Sequence, residues 1–294
     1  MTAAEVVAAA LAEDLGERGD ITSNLLVPPD RDVTARVVAR RAGVLAGREA
    51  GEEVLRQTGL EGTWHVADGA RLAPGAAVAE IAGPARAVLI AERTLLNLLC
   101  HLSGVATLTA AYVAACEPVA VLDTRKTTPG MRGLEKAAVR AGGGVNHRMG
   151  LFDRVLVKDN HLALAGAGLQ EAVARARREM PGVVVEVEAD DLQGVRAALE
   201  AEADWILLDN MNPDTLREAV VLVAGRARLE ASGGMSLEGA RAASATGVDA
   251  VSVGALTHSA PALDLGLDID EPAGSPTPAG PCAAAARRGG RRAG

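Results

Sequence analysis

Apolar and polar positions recur in two different registers along this chain, and the change of register divides it. Thr2-x-x-Glu5 forms a capping box ahead of Val6, Val7, Ala10 and Leu11, which share one helix face, and Gly16 predicts the stop. Residues 13–23, EDLGERGDITS, read as a loop. In VTARVVAR (33–40), Ala35, Val37 and Ala39 alternate to one side and predict a strand, and a helix is expected from about Arg48 to Gln57. Residues 62–90 hold short β-like runs punctuated by Asp68-Gly69, Pro74-Gly75 and Gly83-Pro84. Such segregation predicts a small α+β domain. Residues 88–115 read as mostly helical with a break near Ser103-Gly104, and Arg93 and Asn97 share a face there.

From residue 119 the texture becomes a regular alternation. Apolar β-like runs occur at 119–123, 153–158, 183–188, 205–210, 227–234 and 249–254, with helical patterns at about 132–141, 167–179, 191–201, 213–224 and 236–245. Buried strands alternating with helices imply a parallel sheet, here a (β/α) barrel, complete or open. The domains expected are 1–115, 116–270, and a tail over 271–294 whose Ala, Gly, Pro and Arg content predicts disorder. The runs end in Asp123-Thr124-Arg125-Lys126, Lys158-Asp-Asn-His161, Glu188, Asp209-Asn210, Ser232-Gly233-Gly234 and Ser252-Val253-Gly254. In α/β barrels the carboxyl ends of the strands build the active site, so these groups would face one mouth.

Composition sharpens the picture. The chain has 27 Arg and three Lys, and Lys126, Lys136 and Lys158 all fall in 119–161. An ammonium is a compact point charge where a guanidinium is a flat fork, so the choice of Lys in an Arg-rich chain suggests phosphate contacts. Lys126 and Lys158 follow apolar runs, whereas Lys136, in RGLEKAAVRAG, fits a solvated helix face equally well. Aromatics make up 1% of the chain, too few for a base-stacking platform, and the net charge of −8 disfavours nucleic acid or anionic membranes as partners. A basic cluster in an acidic chain points to a small anionic ligand. Cys100, Cys116 and Cys282 lack metal-ligand spacing, which fits a reducing cytoplasm. The N-terminus does not read as a signal peptide, and no uninterrupted apolar run reaches the ~18 residues of a membrane helix.

The strand-end groups suggest chemistry. Glu186 and Glu188 share a face, and Asp209 ends the next strand. Such carboxylates suit Mg²⁺ carrying a phosphorylated substrate, directly or through water, or ribose hydroxyls, or ion pairs with neighbouring Arg. Ser232, Gly233, Gly234 and Gly254 allow backbone N–H groups to approach a phosphate. The glycines at 142–144 predict a turn presenting Asn146, His147 and Arg148. Together these fit an enzyme joining a phosphorylated sugar to a second anionic substrate. A Schiff-base aldolase using Lys158, or a phosphate-binding barrel without turnover, are the competing readings.

With EDLGERGDITS, AERTLLNLLCHLSGVAT (91–107), the long run DTRKTTPGMRGLEKAAVRAGGGVNHRMGLFDRVLVKDNH (123–161), VEVE, ILLDN, EASGG and GVDAVSVGALTHS (247–259) in hand, the sequence resembles the quinolinate phosphoribosyltransferases. The resemblance implies an N-terminal α/β sandwich on an open α/β barrel of the type II phosphoribosyltransferases. It implies transfer of phosphoribosyl from phosphoribosyl pyrophosphate to quinolinate with decarboxylation. Carried onto this chain, it implies that Arg125, His147, Arg148 and Lys158 surround the quinolinate carboxylates. Arg93 would enter from the partner of a homodimer. Lys126 and Lys158 would touch donor phosphates, and Glu188 and Asp209 would face ribose and Mg²⁺. Lys126, Lys158, Glu188 and Asp209 would be the catalytic set. Ser232, Gly233, Gly234 and Gly254 would hold the 5-phosphate, with Thr124, Ser252 and Val253 also at the substrate. Cys100 stands where Gln is expected in the family, and Ala137 where an aromatic is expected. A relative acting on another acceptor is the near alternative.

Overall fold

A computed structural model describes residues 1–270; the tail expected at 271–294, with Cys282, lies outside the described residues. The strands are β1 (Asp32–Ala39), β2 (Gly43–Val44), β3 (Glu61–Trp64), β4 (Arg71–Leu72), β5 (Ala77–Pro84), β6 (Ala120–Leu122), β7 (Val155–Val157), β8 (Val185–Ala189), β9 (Trp205–Asp209), β10 (Arg228–Ser232), β11 (Ala250–Ser252) and β12 (Leu265–Ile269). The first five helices are α1 (Ala3–Leu15), α2 (Ile21–Leu26), α3 (Arg48–Thr58), α4 (Ala85–Cys116) and α5 (Arg132–Ala141).

The first layer is an antiparallel sheet in the order β12-β1-β5-β3, covered by helices. Ala35, Val37 and Ala39 are fully buried, so the period-2 reading of β1 holds. The α1 capping box forms as read, with Thr2 Oγ1 accepting from Glu5 N–H at 3.3 Å and Glu5 Oε2 accepting from Thr2 N–H at 2.8 Å. The stretch expected to be a loop at 13–23 differs. It leads into α2, because Asp20 caps the Ser23 amide at 2.9 Å. The last strand, β12, returns to pair with β1, with Val37 opposite Leu267.

The break expected near Ser103-Gly104 is absent, and α4 runs unbroken. Its glycine serves a close approach: a Cβ at Gly104 would lie 2.2 Å from the Pro261 carbonyl oxygen and 3.0 Å from Ala262 Cα. Ser103 is buried beside it and accepts from Ala46 N–H at 3.0 Å. By length and composition α4 could cross a membrane. In this fold it packs against α3, α5 and β6, with Leu95, Leu99, Leu102 and Val105 almost wholly buried.

The second layer is a six-stranded parallel sheet in the order β6-β11-β10-β9-β8-β7. β6 and β7 are successive in sequence yet occupy opposite edges. The barrel is therefore open between them. One parallel bridge, Leu122 to Val145, lays the segment after α5 along the free edge of β6 and narrows the gap. Outward residues such as Val187, Ile206, Leu208, Ala231 and Val251 are buried. The inward alternates include Glu186, Glu188, Leu207, Asp209, Glu230 and Ser232.

Gly104→Ala tests the close packing. Alanine favours a helix interior by about 1 kcal/mol, but a methyl pressed against the 261–262 backbone should cost about 1–3 kcal/mol. The denaturant midpoint should fall; an unchanged or higher midpoint would contradict the contact.

Candidate active site

The strand ends enclose a cavity of about 560 Å³. Twelve of the expected substrate positions line it: Thr124, Arg125, Lys126, His147, Arg148, Lys158, Glu188, Asp209, Ser232, Gly233, Gly234 and Ser252. Three do not. Val253 is buried and its amide donates to Leu122 O at 2.9 Å. Gly254 adjoins the Lys126 stem, where a Cβ would lie 3.0 Å from Lys126 Cδ. Arg93 is exposed on α4 and lines no part of its own chain's cavity. A second chamber of about 710 Å³ shares Arg125, Arg148, Leu156 and Lys158 with the first and opens past Leu151, Phe152 and His161.

Two buried ionic groups support the mouth. The first decides the open reading of Lys136 against a solvated face, since the residue has no exposed surface. Its ammonium pairs with Asp123 and donates to the His147 carbonyl at 3.1 Å. Asp123, also fully buried, accepts from His147 N–H at 2.9 Å and from Asn146 Nδ2 at 2.6 Å. The His147 peptide is thus held at both its N–H and its C=O. Burial pushes the Asp123 carboxyl up, while Lys136 and the other donors pull it back.

The second group bridges the gap in the barrel. His147 Nε2 lies 3.1 Å from Glu186 Oε2 and 3.2 Å from Glu230 Oε2, and Arg154 Nη1 lies 3.2 Å from Glu186 Oε2. Glu186 and Glu230 are buried, at 0% and 1% exposure. These groups resemble a metal trio, with ligand atoms within 4.8 Å of one another. Arg154 already supplies the cation, at 3.4 Å from Nε2, so the arrangement is an ion-paired lock. Of the two acids in VEVE, Glu186 belongs to this lock and Glu188 reaches the cavity, paired with Lys158. Glu230 was not singled out from the sequence. Its signal was its period-2 relation to Ser232 on the inward face of β10.

The remaining charge faces the cavity. Arg125 Nε is buried with no hydrogen-bond partner among the described residues. Burial, then the like charge of Arg125, pull Arg148 below the ordinary guanidinium value. Two neighbouring guanidiniums with spare donors suit an anion with paired oxygens. The loop carrying Arg125 and Lys126 is fixed by Glu135, which accepts from Thr128 N–H at 3.0 Å, and by Thr257, which donates to Lys126 O at 2.7 Å. Opposite, Gly233 has φ 100°, and a Cβ there would lie 2.2 Å from Asn210 Oδ1. Only glycine permits this tight loop beside Ser232. Asp209 accepts from Asn210 Nδ2 at 2.7 Å and keeps its carboxylate at the cavity wall.

Comparison with known proteins adds to this geometry. The family model for the quinolinate phosphoribosyl transferase N-terminal domain matches residues 20–103, and that for the C-terminal domain matches 105–268. A nicotinate-nucleotide pyrophosphorylase (carboxylating) of Mycobacterium leprae is 45% identical over 91% of this chain and 97% of its own. A probable enzyme of the same name from Bacillus subtilis is 43% identical over 87% and 90%. The solved nicotinate-nucleotide pyrophosphorylase of Francisella tularensis superposes with a TM-score of 0.86 at 39% identity, over 91% of this chain and 96% of that one.

Stability should register the buried lock. Burial opposes an extra proton on the His147 ring, but hydrogen bonds and charge from Glu186 and Glu230 prevail and raise its value to about 9. The Arg148 N–H already occupies Nδ1, so that proton is held on the carboxylate side of the group. A raised folded value means the contribution is complete below the unfolded value of 6.5 and is lost as pH rises through about 9. The loss is on the order of 3 kcal/mol. The melting temperature should therefore fall across that window; a flat profile would show that the lock holds no such proton.

Proposed function

Because the chain belongs to the quinolinate phosphoribosyltransferase family, we infer that it transfers the 5-phosphoribosyl group of phosphoribosyl pyrophosphate to the ring nitrogen of quinolinate. Pyrophosphate leaves, the 2-carboxylate departs as CO₂, and nicotinate mononucleotide results. It is a pentosyltransferase of de novo pyridine nucleotide and NAD biosynthesis. The single observation that carries the site reading is the convergence of Arg125, Lys126, Arg148 and Lys158 on one cavity.

The residue roles extend that inference. A dicarboxylate and a polyphosphate repel each other, so a site that binds both must present fixed cations. Arg125 and Arg148, with planar forks and an unpartnered Nε, suit the carboxylates. Lys126 and Lys158 suit phosphate oxygens. The Ser232–Gly234 loop suits the 5-phosphate. As the bond from ribose C1 to pyrophosphate stretches, the sugar gains positive charge, which the Glu188 and Asp209 carboxylates favour. The leaving group gains negative charge, which the lysines favour. Alkylation leaves the pyridine nitrogen positive, and that charge stabilises the electron pair left at C2 when CO₂ departs, until a proton takes up that pair and gives the product. No covalent nucleophile is needed, since the chain's contribution is position and preorganised charge.

Glu188 and Asp209 offer oxygen donors from adjacent strand ends at the cavity wall, a set that fits Mg²⁺ held partly through water. When bound with the donor, Mg²⁺ would neutralise charge on the pyrophosphate. A homodimer is part of the same reading. Arg93 is exposed outside its own cavity, and Leu151 and Phe152, 74% and 79% exposed, border the second chamber where a partner would cover them. The thiols of Cys100 and Cys116 are free, in keeping with a cytoplasmic location.

The direct assay is pyrophosphate and CO₂ release from quinolinate and phosphoribosyl pyrophosphate with Mg²⁺; absence of either product would sink the assignment. Lys158→Ala should lower turnover by about 10²–10³ with the circular dichroism spectrum unchanged, and wild-type rates would remove Lys158 from the chemistry. Arg93→Ala should weaken quinolinate binding, and mixing it with Lys158→Ala chains should restore part of the activity. Mixed dimers without recovery would place Arg93 in its own chain's site.

A further inference from the structure

We propose that Glu230 is a positioning residue for the dicarboxylate: as a neutral acid beneath His147, it keeps the cavity floor free of negative charge and holds the imidazole that fixes Arg148. This role rests on the quinolinate reading and goes beyond it by giving work to a side chain that need not touch substrate.

Protons are scarce around His147. Its Nδ1 accepts the Arg148 N–H at 2.7 Å, so the ring's own N–H is at Nε2. That nitrogen faces Glu186 at 3.1 Å and Glu230 at 3.2 Å. One N–H cannot serve two carboxylates well. Arg154 balances Glu186, and among the described residues no cation is left over for Glu230, whose Oε2 lacks a well-aligned hydrogen-bond donor. An unpaired carboxylate at 1% exposure is far more costly than a protonated one. Burial accordingly pushes the Glu230 carboxyl up and the charge of Glu186 adds to the rise, against the pull of the nearby His147 and Ser252. The carboxylates favour a second proton on the ring and the Arg148 amide opposes it; a single proton shared between His147 and Glu230, resting on Glu230, satisfies both.

The neighbouring acids are all engaged elsewhere. Asp123, behind the same segment, is held by Lys136. Glu188 is paired with Lys158, and Asp209 with the Asn210 amide. From β11 the facing group is Ser252, a neutral hydroxyl that also lines the cavity. Arg125 and Arg148 stand above, free for the substrate. An ionised Glu230 would add an uncompensated negative charge to the wall of the cavity that Arg125 and Arg148 line.

The test compares wild type with Glu230→Gln, which mimics the neutral acid, from pH 7 into the alkaline range. In wild type the quinolinate KM should climb by about tenfold per pH unit once the shared proton is lost. In Glu230→Gln it should stay within about threefold of the neutral wild-type value, with no alkaline rise and kcat little changed. An unchanged alkaline rise in Glu230→Gln, or a KM already raised more than tenfold at pH 7, would overturn the proposal. A measurement on the wild-type protein decides it even if the variant fails to fold. Carbon NMR of glutamate-labelled protein at pH 7 should show one side-chain carboxyl at the position of the acid, and its absence would also overturn the proposal. If wild type shows no turnover of quinolinate, the family-based reading fails, while the NMR result still reports the proton.

Discussion

Lys136 carries an ammonium with no surface in water, and the mouth of the barrel depends on how that charge is held. A buried ion pair is weak evidence for stability, since desolvation consumes most of the attraction. What this pair supplies is position. Asp123 continues from β6, Lys136 lies on α5, and both grip the His147 peptide, so three separate stretches share one fixed point. A guanidinium would be larger than the space of a fully buried lysine, and overpacking such a site strains its neighbours. This gives a structural reason for a lysine in a chain that otherwise prefers arginine.

That fixed point is what an open barrel requires. A closed barrel would place β6 beside β7 and fill the interior with apolar layers. Here the edges are apart, and the segment carrying His147 and Arg148 runs along β6. The remaining gap is spanned by His147, Glu186 and Arg154. Charges below are paired with one another; those above, on Arg125, Lys126 and Arg148, are left for ligand. The separation matters because a loose guanidinium would find a carboxylate of its own protein. With Asp123, Glu186 and Glu188 already engaged, the upper cations keep their place, and the chain's net charge of −8 does not cancel the local field.

Much of this was legible in the sequence for a definable reason. Period-2 and period-3.6 patterns are local, so the barrel strands and the end of each one could be read directly, and twelve expected positions line the cavity. Misreadings occurred where the deciding partner was distant in the chain. Gly104 looked like a helix break because the backbone at 261–262 that it admits is far along the sequence. Lys136 stayed open between a site and a solvated face because Asp123 and His147 are brought to it only by the fold. The loop reading of 13–23 missed a local cue, the Asp20 cap. Glu230 lay inside a motif whose serine and glycines drew the attention, although its alternation with Ser232 pointed inward.

The same distinction applies to Cys100 and Ala137, which lie in packing and line neither cavity. Cys100 meets β12 through a contact from its Sγ to Leu265 O at 3.7 Å, in a joint where Leu263 N–H also donates to Cys100 O at 2.9 Å. Burial pushes its thiol up, which makes it a poor thiolate. Ala137 follows Lys136 on α5, half-buried, and lines neither cavity. Both positions meet neighbours through size and backbone contacts, which adjacent side chains can adjust within about a kcal/mol. Asp123, Lys136, Glu186 and Arg154 have no such latitude, because a change of one charge there leaves its buried partner unpaired. A change of size at Cys100 or Ala137 therefore acts on packing, whereas a change of charge in the two ionic groups acts on the cavity they support.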